Sequence, residues 1–208
     1  MSFILKVFLY VLASYLTAGI PFAYIIAKIF LKIDIRTVGS GNVGATNVYR
    51  LGGLKMGVAV FILDFLKGLI PTLISIYLFD KNIHVSTIVA ITTVLGHMFT
   101  PYLKFQGGKG AATSFGAFIV IFPVVAGVCA LFFLVTVLIS RIVALGTIIA
   151  VAVFPIAYFV LGHILDLNFP FNYFSFANLS LIILIVVFIV FKHRSNISRM
   201  MKGNENKI

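Results

Sequence analysis

The apolar run Phe115–Ile139 reads FGAFIVIFPVVAGVCALFFLVTVLI, and none of its 25 residues is charged. A helix needs about 20 mostly apolar residues to cross a membrane, so this run is long enough to do so. Similar runs lie on both sides of it: Phe3–Leu31, Val58–Phe79, Val85–Leu103, Ile142–Leu161 and Ala177–Phe191. The sequence therefore predicts several membrane-spanning helices.

The composition of the 208-residue chain agrees with this prediction. Hydrophobic residues make up 62% of it, charged residues make up 10%, and the mean hydropathy is +1.17. A soluble domain is nearer half apolar and a quarter charged, and a disordered chain has the opposite balance. We therefore predict an all-α, polytopic membrane protein with a single domain over residues 1–208. Cys129 lies in an apolar run as the single cysteine, so we expect a small packing residue.

Basic residues predict the orientation, because loops rich in Lys and Arg stay on the cytoplasmic side. The chain has 16 Lys and Arg against 5 Asp and Glu, which gives a formal net charge of +11. Basic residues cluster after the first, third and last runs: Lys28, Lys32, Arg36, Arg50 and Lys55; Lys104 and Lys109; Lys192, Arg194, Arg199, Lys202 and Lys207. The opposite loops, which contain Asp80 and Asp166, carry little charge. This pattern places the N-terminus outside and the basic loops and tail in the cytoplasm.

The number of runs does not match that orientation. Three runs lie between the loop at Lys109 and the tail at Lys192, whereas two cytoplasmic ends require an even number of crossings. We resolve this by splitting Phe115–Ile139, which Pro123 and Gly127 interrupt, into two crossings that are each short for a bilayer. The prediction is then seven transmembrane helices. The Gly19-Ile20-Pro21 sequence in the first run predicts a kink rather than the end of a span.

The cytoplasmic loop after the first run reads VGSGNVGATNVYR from Val38 to Arg50. Its glycines allow positive φ and a close approach of backbone N–H groups to an anion. Further donors come from the side chains of Ser40, Asn42, Thr46, Asn47 and Arg50. A guanidinium can bind phosphate through two N–H groups at once. This set favours an anion-binding turn over a flexible hairpin.

The loop after the third run contains Gly107-Gly108-Lys109-Gly110 directly before the next apolar run. A phosphate bound there would meet the N-terminus of a helix. The motif is not a nucleotide-binding P-loop, because Gly110 stands where that motif needs Ser or Thr. Topology alone would need only Lys104, so Lys109 between glycines indicates an anion site.

Asp64 and Lys67 lie three residues apart within the second run, so they share a helix face and can pair. Ionisable residues within a span are costly and usually face the protein interior or a site. Two interpretations stay open: the pair locks helices together, or it supports the site from behind. His97, near the cytoplasmic end of the third run, is either a packed side chain or a site residue.

Two further polar groups lie on the predicted cytoplasmic side. Ser140-Arg141 ends the split run, and His193 and Asn196 follow the last run. The polar clusters thus converge on one membrane face, where they predict a phosphate-binding site. The five acidic residues are scattered, so we expect no metal and no redox cofactor.

Three of these blocks together resemble the PlsY family of bacterial acyl-phosphate-dependent glycerol-3-phosphate acyltransferases. The blocks are Ser40–Asn47 with Arg50, Leu63–Gly68, and Gly96-His97 followed by Gly107–Gly110. The resemblance extends over nearly the whole chain, including the His193-Arg194 ending. It departs at Gln106, where members of the family often carry a basic residue.

The resemblance implies acyl transfer from a fatty acyl phosphate to the sn-1 hydroxyl of glycerol 3-phosphate. The products would be lysophosphatidic acid and phosphate, in the first step of phospholipid synthesis. It implies catalytic roles for Ser40, Arg50, Lys109 and His193. It assigns the acyl phosphate to Ser40, Gly41, Asn42, Gly107, Gly108, Lys109 and Gly110, and glycerol 3-phosphate to Arg50, Lys109, Ser140, Arg141, His193 and Asn196. Supporting positions would be Asn47, Asp64, Lys67, His97 and Thr113.

The same resemblance implies a multi-pass protein of the bacterial inner membrane, with its active site facing the cytosol. Its partners would be the two substrates and membrane lipids, not nucleic acid, and the soluble enzyme that makes acyl phosphate is a candidate. The proton acceptor stays open: the phosphate of the donor comes first, followed by His193 and His97. A transporter for a phosphorylated metabolite and a purely structural membrane protein are the alternatives.

Overall fold

The helices of the structure follow the apolar runs of the sequence. We describe a computed structural model over residues 1–165 and 174–208, so Asp166 lies outside the described residues. The α-helices are α1 (Phe3–Ala18), α2 (Phe22–Ile26), α3 (Ala45–Leu78), α4 (Ile83–Met98), α5 (Ala111–Ile121), α6 (Pro123–Ser140), α7 (Val143–Phe159), α8 (Phe176–Lys192) and α9 (Arg194–Met201). Shorter turns are π-helical at Ala27–Leu31 and Val160–Ile164 and 3-10 at Pro101–Leu103. No residue in the described ranges lies in a strand, so the all-α prediction is confirmed there.

Several of these helices are long and apolar enough to cross a membrane. Within the described residues five segments qualify: Phe3–Leu31, Ala45–Leu78, Ile83–Leu103, Pro123–Ser140 and Val143–Ile164. The pair α8 and α9, bent by 55°, would make a sixth. Helix α5 has 11 residues and is roughly 16 Å long, about half of a bilayer core. Seven spans therefore stay a prediction that depends on α5.

The run Phe115–Ile139 is divided between two helices, as the required even number of crossings predicts. Helix α5 ends at Ile121 and α6 begins at Pro123, a residue type favoured in the first helical turn. The prediction was wrong in two details. Gly127 lies inside α6, and α6, with 18 residues, is not short for a span.

The predicted kink in the first apolar run is confirmed. Helix α1 ends at Ala18 and α2 starts at Phe22, while the whole segment Phe3–Leu31 still qualifies as one span. The break leaves backbone carbonyls without helical partners, and side chains satisfy them. Thr100 donates to the carbonyl of Gly19 (2.6 Å), and Lys67 donates to that of Ile20 (3.0 Å).

Helix α3 begins 13 residues before the apolar run Val58–Phe79 that predicts it. It starts at Ala45 and bends sharply at Gly53, whose φ of 81° is easily reached only by glycine. The bend folds the first turns of α3 back, so that a Cβ on Gly57 would lie 2.6 Å from the Cβ of Tyr49. Arg50 therefore lies on a helix rather than in the predicted loop.

Contacts group the helices into two compact units, residues 1–121 and 122–208. In unit 1, α3 packs on α4 and α5, and α1 packs on α4. Gly68 and Gly116 allow α3 and α5 to touch through their backbones, because a Cβ at either position would overlap the facing chain. In unit 2, α7 packs on α6 and α8, and Cys129 is buried in α6 as a free thiol. The single domain predicted over residues 1–208 stays a prediction.

Candidate active site

One buried side chain shapes the glycine turn, which we define as residues 38–44. Asn47, 1% exposed, donates from its amide to the carbonyls of Val38 (3.1 Å), Asn42 (3.2 Å) and Ile35 (3.3 Å). Its Oδ1 accepts from the N–H of Ser40 (3.0 Å). Asn47 is therefore an internal brace, which fits its supporting assignment and not the predicted role as a donor to an anion.

The backbone of the glycine turn is also largely occupied. Gly39 and Gly41 have φ of 63° and 68°, which confirms the predicted positive φ. The N–H of Gly41 donates to Val38 (3.1 Å), and that of Gly44 donates to Asn42 (3.1 Å). These two N–H groups are therefore engaged within the turn, and the anion nest of backbone amides stays a prediction. Its half-buried side chains, from Ser40, Asn42 and the following Arg50, are the donors that it presents.

An apolar cluster supports the glycine turn from beneath. Its buried members are Ala23, Ala27, Ile35, Val43, Val48, Val60 and Leu103. They come from α2 and the π-helical turn that follows it, from the segment just before the glycine turn, from the turn itself, from α3 and from the 3-10 turn after α4. Burial of this kind fixes the backbone on which the polar side chains stand.

An ion pair lies just before the glycine turn in the chain. Arg36 Nη2 lies 2.6 Å from Asp34 Oδ2, and its guanidinium lies 5.1 Å from the ring of Tyr24. Hydrogen bonds from Arg36 lower the pKa of Asp34 to about 2. Both side chains are partly exposed, so the pair adds little stability.

The lysine loop, residues 107–110, runs directly into α5, as predicted. The N–H of Gly107 donates to Met98 (3.1 Å) and that of Gly108 donates to His97 (3.2 Å). These two N–H groups are therefore engaged, and both glycines serve the shape of the loop. Lys109, which is half-buried, and the first N–H groups of α5 remain suited to an anion.

The two loops touch at Gly108. A Cβ there would overlap Nε2 of His97 and would lie 2.5 Å from the carbonyl oxygen of Val43 in the glycine turn. Only a glycine fits between these groups. The contact brings the side chains of residues 40–42 and Lys109 to the same part of unit 1.

A buried polar cluster lies behind the two loops. Lys67 Nζ is 2.8 Å from Asp64 Oδ1, which confirms the predicted pair, and His97 Nδ1 is 3.7 Å from the same oxygen. All three side chains are buried. They border a cavity of about 10 Å³, enough for about one water molecule, which Phe22, Val43 and Gly107 also line.

Of the remaining predicted residues, Thr113 is buried in α5 in unit 1, whereas Ser140, Arg141, His193 and Asn196 lie in unit 2. His193 is buried, with Nδ1 2.8 Å from the carbonyl oxygen of Ile189, and Ser140 donates to Thr136 (2.7 Å). The carbonyl of Arg141 accepts from the N–H of Ile208 (2.9 Å), which ties the C-terminal tail to the end of α6. In unit 1 the structure brings the glycine turn and the lysine loop together, and a single site that includes the residues of unit 2 stays a prediction.

Sequence reasoning missed Glu205. Its Oε1 accepts from Asn196 (2.9 Å), and its Oε2 accepts from Arg199 (2.9 Å). The carboxylate is 3% exposed, although the surrounding tail is highly polar. One signal was available: Glu205 is the last of only five acidic residues and stands in a stretch of basic ones.

The fold and these loops define a class: an all-helical integral membrane protein with polar, cation-bearing loops between its spans. The family model described as glycerol-3-phosphate acyltransferase matches residues 8–203. The chain therefore belongs to the glycerol-3-phosphate acyltransferase family, and it is an enzyme of that family. This result decides against the transporter and the scaffold.

Relatives match over nearly their whole length. A glycerol-3-phosphate acyltransferase of Endomicrobium trichonymphae is 40% identical over 96% of this chain and 94% of its own. One from Aquifex aeolicus is 39% identical over 98% of this chain and 100% of its own. A crystal structure of PlsY (YgiH), described as an integral membrane glycerol 3-phosphate acyltransferase in its glycerol 3-phosphate form, matches with a TM-score of 0.85. It is 39% identical and covers 98% of this chain and 96% of its own.

Proposed function

We propose that this protein transfers a fatty acyl group from an acyl phosphate to the sn-1 hydroxyl of glycerol 3-phosphate. The products are lysophosphatidic acid and inorganic phosphate, and the reaction is the first step of phospholipid synthesis. The observation that carries the proposal is the contact at Gly108, which joins the glycine turn to the lysine loop. Solved relatives are described in a glycerol 3-phosphate form and in a lysophosphatidic acid form, which supports the acceptor and the product.

The acyl phosphate binds where the two loops meet. Lys109, the side chains of Ser40 and Asn42, and the N-terminus of α5 hold its phosphate, since these are the cationic and N–H groups at that place. Gly41, Gly107, Gly108 and Gly110 shape the backbone around it. The acyl chain extends among apolar helices.

Two sets of residues are assigned to glycerol 3-phosphate: Arg50 and Lys109 in unit 1, and Ser140, Arg141, His193 and Asn196 in unit 2. In the second set, Asn196 donates a hydrogen bond to Glu205. Lys109 then lies between two phosphates and reduces their repulsion. Thr113, buried in the first turn of α5, supports the loop from its C-terminal side.

The reaction needs no covalent enzyme intermediate, because phosphate is already a good leaving group. The sn-1 oxygen attacks the acyl carbonyl carbon, a tetrahedral intermediate forms, and the bond from that carbon to the phosphate oxygen breaks. The hydroxyl proton passes to the donor phosphate, or to His193 or His97. The Ile189 carbonyl can only accept, so Nδ1 of His193 carries hydrogen and Nε2 is the acceptor of the neutral ring.

The protein lies in the bacterial inner membrane with its site facing the cytosol, its N-terminus outside and its C-terminus inside. Helix α5 supplies the additional crossing that brings the total to seven. It has only 11 residues, and it packs against α3 and α4. Its Gly116 contact with α3 supports that packing. A reporter fused after Ile121 or after Lys81 should report the outer side, and a cytoplasmic signal after Ile121 would contradict the seventh crossing.

The test uses purified protein in detergent with glycerol 3-phosphate and three donors: palmitoyl phosphate, palmitoyl-CoA and a palmitoyl thioester of acyl carrier protein. We expect lysophosphatidic acid and phosphate only from palmitoyl phosphate. Product from a thioester instead would keep the acceptor and overturn the donor.

Lys109→Met should abolish turnover, with a loss of at least about 100-fold, because it removes the charge between the two phosphates. Lys104→Met is the matched control, since Lys104 is an exposed lysine in the same stretch. It should retain near wild-type rates. Equal rates for wild type and Lys109→Met, measured on protein of unchanged thermal stability, would remove the lysine loop from the mechanism.

A further inference from the structure

Burying the Asp64–Lys67 ion pair of α3 costs more free energy than a simple contact between helices requires. Asp64 is 2% exposed and Lys67 8%, and burying charges within a span is expensive. Helices α3 and α4 are also joined by two hydroxyls, Ser75 and Ser86, whose Oγ atoms lie 3.0 Å apart. Neutral groups thus suffice to join these helices, so the charged pair calls for a further explanation.

The pair connects three segments that meet behind the lysine loop. Lys67 Nζ donates to the carbonyl of Ile20 in the break between α1 and α2 (3.0 Å) and lies 5.6 Å from the ring centre of Phe22. Asp64 Oδ1 faces both Lys67 Nζ and His97 Nδ1. At 3.7 Å this carboxylate acts on the ring through its charge rather than through a hydrogen bond, and it favours the tautomer with hydrogen on Nδ1.

His97 in turn holds the lysine loop in two ways. Its carbonyl accepts the N–H of Gly108 (3.2 Å), and its ring lies so close that Nε2 occupies the space of a Cβ on that residue. The next carbonyl, of Met98, accepts the N–H of Gly107 (3.1 Å). A rotated imidazole would therefore displace the two residues that precede Lys109.

We propose that Asp64 and Lys67 are positioning residues that act on the lysine loop through His97. The cluster fixes the imidazole, the imidazole and its backbone fix Gly107 and Gly108, and these set the position of Lys109 for the donor phosphate. The proposal rests on the proposed function in one respect, the role of Lys109 toward acyl phosphate.

The first test removes both charges at once, because a single substitution would leave the other charge buried and unpaired. Asp64→Asn/Lys67→Met is compared with Ser75→Ala/Ser86→Ala, which removes a polar contact between α3 and α4 that does not involve the loop. The measurements are the midpoint of thermal unfolding, kcat/KM for palmitoyl phosphate, and deuterium exchange of peptides covering residues 104–110.

We expect the Asp64→Asn/Lys67→Met variant, called the charge-free variant below, to have a kcat/KM about 10- to 100-fold lower than wild type, because a misplaced catalytic group has an effect of this size. The N–H groups of Gly107 and Gly108 should exchange faster in this variant. The serine variant should show wild-type kinetics and exchange, even if its midpoint falls. Wild-type kcat/KM and unchanged exchange in the charge-free variant would overturn the proposal.

A second test leaves the ion pair intact. His97→Ala should speed exchange of residues 104–110 and lower kcat/KM, whereas His97→Asn, which keeps a polar side chain beside Asp64, should recover part of both. An Asn variant with normal exchange and the activity of the Ala variant would assign His97 to proton transfer and overturn positioning. If wild type makes no product from acyl phosphate, the proposed function fails, while the exchange data still decide whether the cluster positions the loop.

Discussion

The glycine turn and the lysine loop lie side by side, yet they are held in place differently. The glycine turn depends on one side chain: Asn47 makes four hydrogen bonds to its backbone and to Ile35. The lysine loop depends on backbone bonds to Met98 and His97 and on the ring of His97. The glycine turn should therefore be most sensitive to substitution of Asn47, whereas the lysine loop should be sensitive at several residues.

The comparison also distinguishes residues that fix the shape of a loop from residues that bind substrate. In the two loops the N–H groups of Gly41, Gly44, Gly107 and Gly108 are used internally, so the proposed site relies on side chains and the N-terminus of α5. A polar residue in a glycine-rich loop can thus be a brace, like Asn47, or a ligand, like Ser40 in the proposed site. Substitutions that keep the fold but alter one loop distinguish these two roles.

The largest effect should come from Asn47→Ala. It removes the partner of the Ser40 N–H and of the Ile35 carbonyl, and it leaves the carbonyls of Val38 and Asn42 with only their backbone hydrogen bonds. Each buried orphan costs about 1–3 kcal/mol. We expect a loss of activity near the detection limit and a clear fall in the midpoint of thermal unfolding. Asn82→Ala is the control, because Asn82 caps α4 through Val85 and touches neither loop. It should lower stability by about 1 kcal/mol and leave activity intact.

If Asn47→Ala kept its activity, the glycine turn would not depend on a single brace. Asn47→Asp refines the test, since aspartate keeps the acceptor for Ser40 and loses the donors to three carbonyls. Because a buried carboxylate would face these three carbonyl oxygens, its activity should be no higher than that of Asn47→Ala.

Gly108→Ala should have the next largest effect. A Cβ there overlaps the ring of His97 and approaches the carbonyl of Val43, so the loops must separate. We expect kcat/KM for acyl phosphate to fall about 100-fold with a folded protein. Gly127→Ala is the control, because a Cβ at that helical position meets nothing within 4 Å. Similar activities for the two variants would show that the contact at Gly108 does not matter.

The bend at Gly53 gives a smaller effect, which concerns Arg50 in the first turns of α3. Gly57→Ala places a Cβ 2.6 Å from that of Tyr49 and so pushes the first turns of α3, which carry Arg50. We expect KM for glycerol 3-phosphate to rise about tenfold, and KM for acyl phosphate to change less. Steady-state kinetics with each substrate varied in turn would check this, and an equal rise for both would argue against it.

The sequence was sufficient to predict the features that depend on local chemistry. Apolar runs indicated the helices, Pro123 marked the break before α6, and the three-residue spacing of Asp64 and Lys67 predicted their contact. Each of these follows from a few neighbouring residues.

Features that depend on packing were missed. Three features depend on contacts between residues that are separated in the chain. They are the fold of α3 back onto Gly57, the inward-pointing amide of Asn47 and the hydrogen bond from Asn196 to Glu205. The sequence does not distinguish a polar side chain that points into the protein from one of the same type that points toward substrate. The orientation of these side chains therefore had to come from the structure.

The smallest effect should come from Asp34→Asn at the entrance of the glycine turn. Arg36 lowers the pKa of Asp34 to about 2 in the folded protein, below the usual value near 4. The ion pair therefore stabilises the protein above about pH 4, and that contribution is lost as the pH falls toward 2. At pH 7 the variant should unfold slightly earlier than wild type with normal activity, and the difference should shrink at pH 3. A difference that grows on acidification would mean that the Asp34–Arg36 pair does not stabilise the turn.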